Sequence, residues 1–378
     1  MLMLAATATG CGAPTAQSNA RTAASAVSPA ASPTASPLFA FPTASGITCP
    51  DLSTLGLQRT VLDSLDANRR DVVLCDVRDR SHPRLLAVME GSTAQTFLRQ
   101  DLLGYISLKG SPSSTPDQYT SVVSTLNLAT GQSADLASSP GLALAGGWSP
   151  DASTFAYLID SPDAHSFWIK RGAATAVPLR TPVSVLGRGG IADDEALMSF
   201  SADAQYLVVV DTAVNLLQVF RSSDGAPLYS APSGGTGGLR TMAVWAHQAD
   251  RLYFRNNSGV YQWDPAGGAA TFLPGLRWFN PSLTADDRFV AYGVGMATTP
   301  HVELRDLSSG STVSSPPWRA YPMLLSPTTM LVGQEAPCDS CMGPVNSTGK
   351  TLLFRADTRA ESDLGITGWT VGPIWPHA

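Results

Sequence analysis

Charged residues are scarce in this chain of 378 residues, making up 14% of it, with 24 Lys and Arg against 30 Asp and Glu. The net charge of -6 leaves no basic excess for a nucleic-acid-binding surface. Few charges together with 33 Gly and 28 Pro disfavour a helical bundle or coiled coil and indicate a turn-rich β protein. After the N-terminal segment no run of 18 apolar residues occurs, so no later segment is predicted to span a membrane.

Linear catalytic motifs are missing as well. The sequence contains no HExxH, GxSxG, P-loop or GxGxxG pattern, so the zincin, α/β-hydrolase and common nucleotide-binding classes have no support. The five histidines stand at no metal-ligand spacing. We therefore predict no metal and no cofactor.

The N-terminal segment indicates where the protein resides. Its first ten residues are small or apolar and lead into Ala8-Thr9-Gly10-Cys11, which resembles a bacterial lipoprotein signal ending in a lipobox. The resemblance implies that residues 1–11 form an export signal and that Cys11 is lipidated after cleavage. Residues 12–46 are rich in Ala, Ser, Thr and Pro, with Arg21 as their single charge, and such a composition predicts a disordered tether. The expected protein is extracytoplasmic and lipid-anchored to the bacterial cell membrane, which it contacts only through the lipid.

Four further cysteines remain, an even number that suits an exported protein. The economical pairing joins Cys49 to Cys75 and Cys338 to Cys341, one of three connectivities that four cysteines allow. Cys338-Asp339-Ser340-Cys341 could alternatively be a redox pair or half of a zinc site. A second CxxC or a paired-histidine motif is missing from the sequence, which favours a structural disulfide.

Two short recurring sequence motifs, which we call phrases, alternate along residues 47–378. The first is an apolar residue, a short polar turn and an apolar strand, clearest in WSPDASTFAYLI from Trp148. Further copies begin at Leu65, Phe97, Phe200, Trp245, Leu283 and Leu325. The second phrase is a strand followed by a turn, usually with Gly, near Gly91, Gly131, Gly172, Gly225, Gly267, Gly310 and Arg359. Successive turns lie 40 to 53 residues apart. Four short strands per period of about 45 residues predict a single all-β domain, a β-propeller of seven blades, with six or eight as alternatives.

WSPDASTFAYLI and FSADAQYLVVVD resemble the WSPDG-type repeats of TolB-like and WD40-like propellers. The resemblance covers about residues 57–378 and implies the propeller fold while saying little about function. The Gly that follows Asp in that family is absent from every copy. Asp151, Asp203 and Asp286 recur inside the turn phrase, and we interpret them as turn-forming residues and not as a ring of ligands, because a turn needs an Asp side chain to bond nearby amides.

Loop lengths suggest a binding surface. Units two and seven carry insertions, around Gly110 to Gln118 and from Gln334 to Lys350. The matching loop of unit one is predicted to be the charged stretch that contains Arg78, Asp79 and Arg80. If the three loops open on one face, they form one sector of a functional surface. The alternative is that the two insertions are tolerated surface loops.

Three functions remain open from sequence. The first is a non-catalytic binding or scaffold module, a monomer, for a protein, peptide or glycan. The second is a propeller enzyme, a hydrolase or lyase acting on an extracellular polymer. The third is a structural envelope component. Carboxylates with His or Arg at a mouth of the central channel would favour the enzyme, and an apolar or uncharged mouth would favour the binding module.

Overall fold

The computed structural model describes most of the chain beyond the predicted tether. The described residues are 49–64, 71–78, 84–90, 92–99, 101–109, 120–140, 146–160, 165–179, 196–211, 215–233, 243–276, 278–295, 298–337, 345–367 and 369–375. They belong to one compact unit. Within them the only helix is a single 3-10 turn, Ser53–Leu55.

In the described ranges, twenty-eight strands form seven four-stranded antiparallel sheets, which we number as blades 1 to 7. Blade 1 contains β28 (Trp369–Trp375), β1 (Arg59–Ser64), β2 (Asp71–Asp76) and β3 (Arg84–Glu90). Blade 2 contains β4 (Ser92–Arg99), β5 (Leu102–Lys109), β6 (Thr120–Asn127) and β7 (Ser133–Pro140). Blade 3 contains β8 (Gly146–Trp148), β9 (Thr154–Asp160), β10 (His165–Arg171) and β11 (Val177–Pro178). Blade 4 contains β12 (Ala196–Phe200), β13 (Tyr206–Asp211), β14 (Leu216–Arg221) and β15 (Pro227–Ala231).

The remaining blades follow the same plan. Blade 5 contains β16 (Ala243–Trp245), β17 (Leu252–Asn256), β18 (Gly259–Trp263) and β19 (Thr271–Leu273). Blade 6 contains β20 (Phe279–Leu283), β21 (Phe289–Val294), β22 (His301–Asp306) and β23 (Thr312–Ser314). Blade 7 contains β24 (Arg319–Ser326), β25 (Thr329–Pro337), β26 (Val345–Arg355) and β27 (Ala360–Thr367). From blade 1 to blade 7 the first strands of successive blades contact one another, and β28 of blade 1 contacts β26 of blade 7. The first strands are the innermost strands of the propeller. The fold is a single seven-bladed β-propeller, as the repeat predicts.

Apolar residues are buried on both sides of the blades. In β13, Leu207 and Val209 belong to the core shared with blade 3, whereas Val208 and Val210 belong to the core shared with blade 5. This arrangement explains why the strand is apolar at consecutive positions. The described side chains form seven such clusters, one at each blade boundary, including the boundary between blades 7 and 1.

The two ends of the described chain share blade 1. The C-terminal β28 is the innermost strand of that blade and pairs antiparallel with β1, from Arg59 opposite Trp375 to Ser64 opposite Trp369. Consequently the first strand of the chain is the second strand of its sheet.

Neighbouring strands alternate in direction, so their connections lie alternately at two ends of the propeller. We call the end with the first-to-second and third-to-fourth connections the turn face; it includes residues 149–153, 201–205, 246–251 and 284–288. The opposite end, with the second-to-third connections and the links between blades, is the loop face; it includes residues 256–259 and 315–318.

The sequence repeat matches this scheme in blades 2 to 7, where both recurrent turns lie on the turn face. Unit one was assigned wrongly. The phrase at Leu65 begins directly after β1, the second strand of blade 1, and Gly91 stands between β3 of blade 1 and β4 of blade 2 in the sequence. Both residues lie outside the described ones. Because β28 occupies the innermost place, every connection of blade 1 is displaced by one strand relative to the repeat.

Candidate functional site

The recurrent Asp residues organise turns. In blade 3 the Ser149 hydroxyl donates to Asp151 Oδ1 at 2.5 Å and accepts the Thr154 N–H at 2.9 Å. Asp151 Oδ1 also accepts the Ser153 N–H at 3.0 Å. Hydrogen bonds lower the pKa of Asp151, and the bond from Ser149 has the largest effect. The turns of blades 4 and 6 repeat these contacts through Ser201 with Asp203 and Thr284 with Asp286. These carboxylates are occupied by their own turns.

In each of these turns the residue after the Asp is not glycine, but it has the left-handed backbone conformation that glycine readily adopts. Ala152 has φ 61° and Ala204 has φ 62°, both in the left-handed region. In blade 6 the left-handed residue is Asp287, at φ 57°. Its carboxylate accepts the N–H groups of His247 at 2.7 Å and Gln248 at 2.8 Å from blade 5. Asp287 therefore joins two blades on the turn face.

A second link between blades on the turn face joins two carboxyl groups. Asp203 of blade 4 and Asp250 of blade 5 are hydrogen-bonded to each other. Burial, this hydrogen bond and the charges of Asp203 and Asp264 raise the pKa of Asp250 to about 6. Burial alone would raise the pKa of Asp203, but hydrogen bonds from Gln205, Ser201 and Asp250 lower it. The pair holds a proton in mildly acidic solution.

The charged loop that the sequence selected for binding lies on the turn face. Arg78 follows β2, in the third-to-fourth connection of blade 1. The insertions of blades 2 and 7 are flanked by second and third strands, β5 and β6 or β25 and β26, which are joined on the loop face. Gly110 to Gln118 and residues 338–344 lie outside the described residues. The grouping of the three loops on one face was therefore wrong. Arg78 donates through Nε and its terminal nitrogen to both oxygens of the buried Asp76, at 2.9 and 2.5 Å. Asp79 and Arg80 lie outside the described residues.

The structure describes one of the two predicted disulfides. Cys49 and Cys75 form a disulfide that attaches the segment before β1 to strand β2. Both residues are buried in the core between blades 7 and 1. Cys11, Cys338 and Cys341 lie outside the described residues, so lipidation and the second disulfide remain predictions.

The innermost strands are nearly free of charge. Across β28, β4, β8, β12, β16, β20 and β24 the sequence contains no Asp, Glu or His and only two charged residues, Arg99 and Arg319. Arg319 is neutralised by Glu361, which accepts two hydrogen bonds at 2.7 and 2.6 Å. These strands therefore supply no acid or base to the centre of the propeller.

Three consecutive innermost strands share a bulge that sequence reasoning missed. In β20, β24 and β28 two residues oppose a single residue of the neighbouring strand, and the second of the two is Pro281, Pro322 or Pro373. Proline has no N–H for the ladder, which suits it to a bulge. Among the seven innermost strands only these three contain proline. Proline within an apolar strand phrase was the available signal.

The bulges of blades 6 and 7 also impose an uncommon backbone conformation. Asn280 and Tyr321, each directly before the proline, have φ values of 48° and 51°. Asn tolerates this region, but for an aromatic residue it is a true outlier. Tyr321 is 45% exposed, and Pro322 after it is buried. The innermost strand of blade 7 thus presents an aromatic side chain from a constrained backbone.

Comparisons with known proteins support the fold and not a function. No protein-family model and no curated protein matches the sequence. A solved protein from Lactobacillus plantarum has a TM-score of 0.51 at 11% identity, over 84% of this chain and 98% of its own. TolB from Acinetobacter baumannii has a TM-score of 0.47 at 12% identity, over 84% and 67%. The β-propeller domain of the trilobed protease from Pyrococcus furiosus has a TM-score of 0.46 at 9% identity, over 72% and 94%.

Three further features of the described part of the chain concern metal binding, membrane spanning and histidine–carboxylate contacts. No three His, Cys, Asp or Glu side chains there are arranged to hold a metal ion. No helix there is long and apolar enough to cross a membrane. The His301 imidazole lies close to a carboxylate, with Nε2 3.6 Å from Glu303 Oε1 on the third strand of blade 6. Glu303 also accepts a hydrogen bond from the buried Tyr292 hydroxyl at 2.8 Å.

Proposed function

We propose that this protein is a non-catalytic propeller that binds a protein, peptide or glycan on the outer side of a bacterial membrane. The observation that carries the proposal is the composition of the seven innermost strands, which have no carboxylate and no imidazole. A polymer hydrolase or lyase needs an acid and a base close to the substrate. The His301–Glu303 contact lies on a third strand and supplies neither group to the innermost layer.

The proposed location rests on separate observations. A disulfide such as Cys49–Cys75 persists in oxidising compartments and supports an exported protein. The segment ending in Cys11 and the Ala-, Ser- and Pro-rich residues that follow supply an anchor and a tether in the proposal. Mass spectrometry of the mature protein tests the anchor: we expect an N-terminal diacylglyceryl Cys11, and an unmodified peptide running through Cys11 would contradict it.

Binding and catalysis are separated by incubating the purified mature protein with immobilised peptide and glycan arrays and then with the same ligands in solution. We expect saturable binding to one class and unchanged ligand mass after prolonged incubation. Formation of new chain ends or unsaturated sugar products, at a rate proportional to protein concentration, would show that the protein is an enzyme and not a binding module. Heat-denatured protein is the control for adsorption.

A further inference from the structure

One exposed aromatic residue differs from the other exposed apolar residues of the described chain. Val177, Leu228 and Phe272 lie on the outermost strands of blades 3, 4 and 5, at the rim. Tyr321 lies on an innermost strand and is 45% exposed. The Tyr321 ring lies beside β25, where a Cβ added to Gly333 would be 3.5 Å from Tyr321 Cδ2. The aromatic ring of Tyr321, on an innermost strand, therefore lies next to Gly333, which has no side chain.

The backbone holds this side chain in place. Tyr321 has φ 51°, the following Pro322 is buried, and the pair forms the bulge opposite Val332. Three residues earlier Trp318 is also left-handed, with φ 64°. Non-glycine residues in this region persist only where their surroundings enforce it, and such outliers concentrate at ligand-binding positions.

The same bulges disfavour one mode of peptide recognition. An extended peptide binds a sheet edge by adding a strand, which requires free N–H and C=O groups in regular spacing. In blades 6, 7 and 1 the innermost edge is interrupted by a bulge and a proline, the devices that protect edges from strand addition. A ligand at this position must be recognised through side chains.

The scarcity of charge on the innermost strands limits the chemical class of ligand that can bind there. The innermost strands offer hydroxyl and amide side chains, such as half-buried Ser199, Asn280 and Ser282, and the charge of Arg319 is neutralised by Glu361. On the innermost strands of blades 6, 7 and 1 Arg319 is the single charged residue of the sequence, so these three strands offer a charged ligand no unpaired counter-ion. Sugar rings combine apolar C–H faces, which pack on aromatic rings, with neutral hydroxyls. We infer that Tyr321 is the stacking residue of a site for a neutral carbohydrate chain; this rests on the proposed binding function and specifies its ligand.

The test measures binding of three neutral hexasaccharides, β-1,4-glucan, α-1,4-glucan and N-acetylglucosamine, to the mature protein by calorimetry. We expect one of them to bind, Tyr321→Ala to weaken that binding about tenfold, and Tyr321→Phe to keep it, since stacking does not need the hydroxyl. Phe272→Ala is the matched control, because Phe272 is 48% exposed at the rim and should leave affinity unchanged. Circular dichroism confirms that each variant is folded.

The outcomes separate this inference from the proposed function. Binding of a peptide array with no affinity for any hexasaccharide would overturn the carbohydrate site and leave the binding module intact. Hexasaccharide binding that survives Tyr321→Ala would overturn the role of Tyr321. Tighter binding of an acidic uronic-acid hexamer than of the neutral ones would overturn the neutral ligand. Cleavage of a hexasaccharide would overturn the non-catalytic function itself.

Discussion

Ala204 is a site where replacing a strained residue by glycine should stabilise the protein. It holds φ 62° at the position where the WSPDG-type repeat has glycine. We expect Ala204→Gly to stabilise the fold, because glycine adopts the left-handed region without the clash that involves Cβ. Ala152, with φ 61° in the equivalent turn of blade 3, should respond in the same way.

The magnitude follows from two opposing terms. The left-handed conformation costs an L-residue roughly 1–2 kcal/mol, and glycine removes that cost. Glycine also gives the unfolded chain more freedom, which costs about 0.5–1 kcal/mol on folding. The expected net gain is about 0.5–1 kcal/mol for each turn, and the double variant should show about the sum of the two gains.

Ala202 is the matched control, since it lies in the same turn, is exposed and has no positive φ. Ala202→Gly adds the entropy cost of glycine but relieves no left-handed conformation, so this variant should be less stable than the parent protein. The difference between the two glycine variants isolates the left-handed cost, about 1–2 kcal/mol. Urea unfolding followed by tryptophan fluorescence measures it as a shift in midpoint at unchanged slope. Equal midpoints for Ala202→Gly and Ala204→Gly would refute the reasoning.

Three further changes test other parts of the structure. Gly104→Ala should destabilise the protein by about 2 kcal/mol, because the new Cβ would lie 2.4 Å from Nε1 of Trp148. Asp250→Asn should leave stability unchanged near pH 4 and raise it by about 1 kcal/mol at pH 8. The folded pKa of about 6 exceeds the ordinary 3.8, so the contribution of the proton is lost as the pH rises through this range. Arg78→Ala should cost about 1 kcal/mol, reduced by solvent exposure, because it leaves the buried Asp76 carboxylate without two donors.

Two matched variants and one pH comparison serve as controls, all by urea unfolding. Gly267→Ala should change stability by less than about 0.5 kcal/mol, since its nearest neighbour would be 3.7 Å away. Arg221→Ala breaks a pair in which both side chains are half exposed and should also have a small effect. Equal losses for the Gly104 and Gly267 variants, or for the Arg78 and Arg221 variants, would contradict the packing and burial arguments. A stability gain of Asp250→Asn that is the same at both pH values would contradict the shared proton.

Most of the fold could be predicted because its information is local and repeated. The turn phrase at Trp148 specifies a strand, a turn bonded by Asp151 and a second strand, and blades 4 and 6 repeat its hydrogen bonds. Repetition also revealed the first-blade copy at Leu65, but its register was wrong. The missing fact was the pairing of β28 with β1, a contact across nearly the whole domain, which no local pattern specifies.

The candidate site depended still more on tertiary structure. The sequence by itself determined a lightly charged, turn-rich propeller, because composition and a period near 45 residues act through short-range turn chemistry and strand burial. Which strands are innermost, and hence that these seven strands contribute no carboxylate or imidazole, followed only from the sheet order. The same order moved Arg78 to the turn face and away from the loops first grouped with it. Tyr321 emerged only in three dimensions, since neither its exposure nor its left-handed backbone can be read from one residue next to a proline.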